Sequence, residues 1–370
     1  MRKSIAFMML LMTMWIVAAC APVVPPAAPA AQPAATQAAA PEATVPAQEE
    51  DEATEAEPAG DLTVVRVGYI PVTIYAPLYV ADAKGYFAEE GIDVELMPVQ
   101  GGSDNVVQLG AGNFDVAGGG ISAGMWNAAD RGIEFEIALP LHAERPPLTT
   151  PLVVSKTRFD NGEITSVADL AGKKVAVNAT GAATEYWLQK ALEQGGLSLD
   201  DVELTSVGFR EVAAALENGS LDAGMLGEPL ATLAEDQGLI HRLTDDFLSD
   251  FTVTVIYYNT EWATANPELA DGFAKAFLRG ARDLVGDAWY DEANLAIIEE
   301  YTGVPADVVG RASRSYHNPN GVVPAEDLMI LQQFFLDRGT LNYSELIDVE
   351  QYINSSYAER AVEALGEVEE

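Results

Sequence analysis

Apolar and polar positions alternate between two periods along the chain, and the alternation runs twice. Thr63–Ile70 (TVVRVGYI) is β-branched and apolar and is closed by Pro71, which predicts a strand. Ala76–Gly91 sets Leu78, Ala81 and Phe87 at helical spacing with glycine as its stop. Ile92–Val99 alternates like a strand, and Ser103–Gly112 opens on cap-type residues and ends in glycine. FDVAGG (Phe114–Gly119) reads as a short strand, Ser122–Gly132 as a helix and Ile133–Leu139 as a further strand. The second round reads Lys173–Asn178 as strand, Ala182–Gly196 as helix, Asp201–Val207 as strand, Arg210–Gly219 as helix, Leu221–Leu226 as strand and Glu228–Gly238 as helix.

The two rounds share wording. GNFDVAGGG (Gly112–Gly120) and GSLDAGMLG (Gly219–Gly227) place Asp115 and Asp222 at matching points, and IDVELMPV finds its counterpart in DVELTSV. Strands alternating with helices predict parallel sheets covered on both faces, so each round is one α/β lobe. Each shared Asp is expected to be structural, tying its strand to the end of the preceding helix. Ligands on such sheets bind beyond the carboxyl ends of the strands. Two lobes facing each other there form a cleft, and closure about a hinge is the expected motion.

The N-terminus changes the picture of location. Arg2 and Lys3 precede the apolar run Ile5–Val17, and Ala18-Ala19 lead to Cys20, the single cysteine in 370 residues. Charged, apolar and small-residue zones in that order make 1–19 a secretory signal. The VAAC stretch looks like a bacterial lipobox, with Cys20 as the lipidated residue. A lone cysteine excludes an intrachain disulfide and a cysteine-based metal site. Residues 20–61 carry Ala, Pro, Gln, Thr and eight acids, too few large apolar side chains to offset ordering, and so read as an extended disordered tether. The net charge of −37 argues against a nucleic-acid partner.

With these motifs in order, the chain resembles the substrate-binding proteins of nitrate/sulfonate/taurine-type ABC importers, a superfamily that includes the thiamine-pyrimidine binding proteins. The resemblance rests on VGYIPVTIYAPLYVADAKGYFAEEGIDVEL, LGAGNFDVAGGG, SVADLAGKKVAVNATGAATEYWLQKAL and LENGSLDAGMLGEP, and it covers most of 62–300. It implies a type II periplasmic-binding fold in which the chain crosses between lobes near Leu141–Leu152 and Leu248–Asn259. Residues 62–145 and 255–370 are then lobe one and 146–254 lobe two, with the helical remainder Thr260–Leu365 returning to the first. It further implies a monomeric, lipid-anchored, extracytoplasmic protein that hands a small molecule to a permease and its ATPase, without cofactor or metal.

Candidate ligand contacts follow from the strand ends: Tyr75 after the first strand, Ser122 and Trp126 at the helix after GGG, Thr180, Gly181, Thr184 and Tyr186 at the helix after NATG, and Glu228 at the last helix start. Trp187 falls on the apolar helical face and reads as core. His142, Glu144 and Arg145 lie in the first crossing and read as hinge or rim. The lining is aromatic and hydroxylic, with no Lys or Arg at these ends, which favours a flat, largely neutral heterocycle. Within the resembled family that points to riboflavin first, a thiamine-precursor pyrimidine second, and a sulfonate or nitrate third.

Two motifs support rival chemistry. GISAG (Gly120–Gly124) fits the G-x-S-x-G nucleophile elbow, which would make Ser122 a hydrolase nucleophile served by His241 or His317. No upstream His-Gly-Gly oxyanion motif accompanies it, so the expected protein is not an enzyme. GGGISA (Gly118–Ala123) fits a degenerate dinucleotide fingerprint but follows the third strand of its unit instead of the first.

Overall fold

The computed structural model describes residues 62–99 and 102–369. The signal segment, Cys20 and the tether lie outside the described residues. Ten strands are found among the described residues: β1 (Thr63–Tyr69), β2 (Ile92–Pro98), β3 (Val116–Gly120), β4 (Phe135–Glu144), β5 (Leu152–Ser155), β6 (Lys174–Val177), β7 (Glu203–Ser206), β8 (Ala223–Met225), β9 (Ile240–Thr244) and β10 (Phe251–Asn259). They form two five-stranded sheets, ordered β2-β1-β3-β10-β4 and β7-β6-β8-β5-β9. The two orders are one pattern written twice, with β1 matching β6, β2 matching β7, β3 matching β8 and β4 matching β9.

Neither sheet is wholly parallel. β1 pairs in parallel with β2 and β3, but β10 runs antiparallel to β3 and β4. In the second sheet β5 runs antiparallel to β8 and β9 in the same way. The reason is topological. β5 and β10 are the strands that directly follow the two crossings, 145–151 and 245–250, without a crossover helix to turn them round. Each sheet therefore receives its odd strand through a crossing. The crossings are fastened to each other, because Leu148 N donates to Asp245 O at 2.8 Å and Arg145 pairs with Asp250.

The repeated Asp does the same job in both sheets. Asp115 accepts from the backbone N–H of Arg66 at 2.9 Å and pairs with the Arg66 guanidinium through both carboxylate oxygens, at 2.9 and 2.7 Å. Asp222 accepts from Lys174 N at 2.8 Å and pairs with Arg158 at 2.9 Å. Each Asp thus ties the start of its strand to the neighbouring parallel strand, β1 or β6, and not to the preceding helix. Gly68 shows how tightly that neighbourhood packs, since an added Cβ there would sit 2.5 Å from both Asn105 and Phe114.

The helical remainder covers the first sheet. Helix Pro267–Arg282 buries Phe273 and Phe277, helix Ser356–Leu365 buries Tyr357, and helix Ala325–Asp337 buries Leu328, Leu331 and Phe335. Tyr316 is pinned to the first crossing: its carbonyl accepts from Ala143 N at 2.9 Å, and the Arg145 guanidinium lies 3.3 Å over its ring.

Candidate functional site

The carboxyl ends of the parallel strands in both sheets converge on one cavity of about 30 Å³. Its first-sheet wall is Ile70, Val72, Ile74 and Tyr75 after β1, Gly120 at the end of β3, and Thr254 on β10. Its second-sheet wall is Asn178, Ala182, Ala183, Thr184 and Trp187 after β6, Phe209 after β7, and Gly227 with Glu228 after β8. Thr149 and Thr150 close it from the first crossing. Ile70, Val72 and Phe209 also border a second, larger cavity of about 220 Å³ that includes Arg210 and Glu211, so a vestibule lies next to the inner space.

The two walls touch. Thr73 donates to Glu228 O through both its backbone N–H (3.0 Å) and its hydroxyl (3.2 Å), and Ala123 N donates to Gly181 O at 2.9 Å. Gly120 permits this approach, because a Cβ there would lie 2.9 Å from Ala183 Cβ. The structure is thus a closed form, with room inside for a water molecule or two.

The polar groups of the wall are strongly organised. Tyr75 is fully buried and its hydroxyl donates to Gly118 O at 2.6 Å, while burial pushes its phenol well above its ordinary pKa. Thr184 Oγ1 donates to Asn178 Oδ1 at 2.6 Å. Glu228 is buried and bound by Arg242 at 2.6 Å, by the Thr232 hydroxyl at 3.0 Å and by Thr232 N at 3.0 Å. Behind Thr149, the Glu144 carboxylate accepts from Thr149 N at 2.9 Å and Thr149 Oγ1 at 2.8 Å, and stands 3.3 Å from His142 Nε2. His142 Nδ1 contacts Thr254 Oγ1. Among the described residues, no Lys or Arg lines the cavity. The Trp187 ring is buried with its Nε1–H unpartnered, a costly state for a buried donor unless something enters to accept from it.

Of the residues singled out from the sequence, Tyr75, Thr184 and Glu228 line this cavity together. Ser122 sits beside it, fully buried, its hydroxyl accepting from Met125 N at 3.1 Å as a helix cap. Gly181, at φ 74°, gives its carbonyl to Ala123, and its N–H is held by Glu185 at 2.6 Å. Burial raises the Glu185 carboxyl above its ordinary pKa. Thr180 is bonded to the Ser206 hydroxyl at 2.6 Å, outside the cavity lining. Trp126 packs edge-on to Tyr352 at 6.0 Å, and Tyr186 stacks on Phe251 at 5.2 Å; neither lines the cavity. The three histidines are occupied away from Ser122: His142 by Glu144 and Thr254, His241 by the face of Phe159 at 3.6 Å, and His317 by Leu141 O at 2.7 Å.

Sequence reasoning passed over Thr149, Thr150, Asn178, Phe209 and Thr254, and read Trp187 as core. One available signal was the His-Ala-Glu spacing of His142 and Glu144. Residues two apart on a strand face the same side, and both are buried in β4 beside the cavity.

Residues 73–287, well over half of the chain, match the family described as NMT1/THI5 like. The chain belongs to that family. The matched segment contains both crossings and the cavity lining from Ile74 to Thr254, with Ile70 and Val72 just ahead of it. Among curated relatives, the chain is 27% identical over 247 residues to the riboflavin-binding protein RibY of Chloroflexus aurantiacus, covering 65% of this chain and 67% of that protein. It is 25% identical to a formylaminopyrimidine-binding protein of Halalkalibacterium halodurans, covering 71% of this chain and 80% of that one. Its fold is that of the periplasmic nitrate-binding protein NrtA from Synechocystis PCC 6803, with a TM-score of 0.68 at 19% identity, covering 83% of this chain and 90% of that chain. Members of this fold thus bind ligands as different as a flavin, a pyrimidine and an oxyanion.

Proposed function

We propose that this protein is the extracytoplasmic substrate-binding component of an ABC-type importer, held at the membrane by a lipid on Cys20 and spaced from it by the 20–61 tether. Its ligand is a flat, polar-edged heterocycle, with riboflavin the first choice. The observation that carries this reading is the lining of the cavity: Trp187, Tyr75 and Phe209 supply aromatic surface, Thr149, Thr184 and Thr254 supply hydroxyls, and no basic side chain is present among the described lining residues. Aromatic faces and neutral hydrogen-bonding groups suit a stacked ring better than a compact anion. A tricyclic ring needs more room than the closed cavity offers, so binding requires the walls to part, the Thr73–Glu228 and Ala123–Gly181 contacts to break, and the lobes to re-close over ring and vestibule.

The test is direct. Protein purified from membranes and then denatured should release a flavin, identified by absorbance and mass, and calorimetric titration of the stripped protein with riboflavin should saturate at one site. Release and tight binding of a pyrimidine or a sulfonate in its place would reject riboflavin and keep the binding-protein reading. In the same preparation Cys20→Ala should move the protein to the soluble fraction with ligand affinity unchanged.

A further inference from the structure

The hydroxyls on one side of the cavity have already committed their protons. Thr149 Oγ1 donates to Glu144 Oε1 at 2.8 Å. Thr254 Oγ1 faces His142 Nδ1, and the direction of that bond follows from the far side of the ring. Glu144 Oε1 lies 3.3 Å from His142 Nε2, and a carboxylate only accepts, so in the neutral ring it is Nε2 that carries the proton. Nδ1 then offers its lone pair, and the Thr254 hydroxyl gives its proton to it in preference to His142 O, which lies farther off at 3.5 Å. The same Thr254 oxygen accepts from His142 N at 3.2 Å, which leaves it one lone pair for the cavity. Glu144 and His142 are 0% and 1% exposed, so water does not compete for these bonds.

We infer that Glu144, acting through His142, sets the hydrogen-bond polarity of the cleft: Thr149 and Thr254 meet the ligand as acceptors only, so the seat selects a ligand that donates hydrogen bonds and turns away donor-free oxyanions. This rests on the proposed reading of the cavity as the ligand seat. A nitrate or sulfonate entering it meets outward lone pairs, a Glu228 carboxylate whose charge Arg242 already takes up, and no lining Lys or Arg among the described residues. An N–H or O–H edge meets two oriented acceptors, while Trp187 Nε1–H is left to bond an acceptor elsewhere on the same ligand. Glu144 and His142 are positioning residues that work behind the wall.

Glu144→Gln tests this with little change of shape. An amide nitrogen in place of Oε1 donates to His142 Nε2 and Thr149 Oγ1. The ring proton moves to Nδ1, and the Thr149 and Thr254 protons turn toward the cleft. Nitrogen-15 NMR of the His142 imidazole should show Nε2–H in the wild type and Nδ1–H in the variant. Calorimetry on the ligand-stripped protein would use riboflavin and 4-amino-5-hydroxymethyl-2-methylpyrimidine as donor-bearing probes, and nitrate and methanesulfonate as donor-free ones. The wild type should bind a donor-bearing probe at least about tenfold more tightly than either anion; the variant should lose about tenfold on that probe and gain on the anions. Should the Gln variant not fold, Thr254→Val weakens the donor-bearing probe about tenfold and leaves nitrate unchanged. An Nδ1–H wild type, a wild-type preference for either anion, or equal losses for both classes in the variants would overturn the inference. Riboflavin failing while the pyrimidine binds rejects riboflavin alone. Silence from all four probes rejects the cavity as the ligand seat, and the inference with it.

Discussion

β3 and β8 occupy the same place in their sheets and are entered through the same Asp, yet they leave in different ways. β3 runs through Gly118-Gly119-Gly120 to Ser122, a small hydroxyl that caps one helix. β8 runs into Gly227-Glu228, where a buried carboxylate caps a helix and holds Arg242 while the Glu228 backbone carbonyl accepts from Thr73 of the opposite lobe. At their beginnings the strands are constrained alike, because each Asp accepts one backbone amide of the neighbouring strand and pairs with a basic side chain. At their ends they diverge, because Gly120 lets Ala183 of the other lobe come close, whereas Glu228 anchors Arg242. Repetition marks what holds the sheets together, and divergence marks the ends that face the cavity between the lobes.

Breaking the divergent end should cost most. Glu228→Ala takes from Arg242 its buried partner, leaving it only the more exposed Glu235 as an ion-pair partner, and uncaps the helix that follows, and a loss of about 3 kcal/mol in unfolding free energy is expected. Denaturant titration would show it, and a loss below about 1 kcal/mol would mean that Glu228 is no anchor. Breaking the repeated beginnings should cost about 2 kcal/mol for Asp115→Ala and for Asp222→Ala separately, in line with hydrogen bonds to charged partners. Because the two sit in different sheets, the double variant should be additive. A clear cost at one Asp and none at the other would end the equivalence of the two lobes.

Acid should separate the lobes further. His317, bonded to β4 through Leu141 O and stacked on Trp289, is wholly buried, and that burial lowers its pKa from 6.5 to about 3. Between those values the unfolded chain takes up a proton that the folded chain refuses, so the stability present above pH 6.5 is lost progressively as pH falls toward 3. The loss attributable to His317 is about 2 kcal/mol from pH 7 to pH 5. His317→Gln should flatten that part of the profile, and hydrogen exchange at pH 5 should show β4 losing protection before the second sheet does. An unchanged slope in the variant would remove His317 as the cause. The smallest effect is expected at the other divergent end, where Ser122→Ala removes a single helix cap worth about 1 kcal/mol and should leave any hydrolytic background untouched. Ester turnover lost with this change would revive Ser122 as a nucleophile.

The sequence by itself determined β1 to β4, β6 to β8, the helices between them, the twofold repetition and the end of each sheet at which the cavity lies. These follow from local periodicity, from glycine stops and from Asp115 and Asp222 recurring at matched points. Tyr75, Thr184 and Glu228 were legible for the same reason, since each follows directly from a strand end. β5, β9 and β10 were not legible as strands: Leu248–Asn259 reads as a crossing, whereas 251–259 is β10, held antiparallel between β3 and β4, and only the pairing of a run with its neighbours decides that. The far wall of the cavity was not legible either. Trp187 occupies the apolar face of its helix and reads as core, and only the meeting of two lobes turns that face into a pocket wall. Thr149 and Thr254 stand 105 positions apart and become neighbours of one cavity only after both crossings have been made. The proton order among Glu144, His142 and Thr254 belongs entirely to the tertiary structure, because it depends on which atoms face each other within hydrogen-bonding reach, and periodicity carries no information about that.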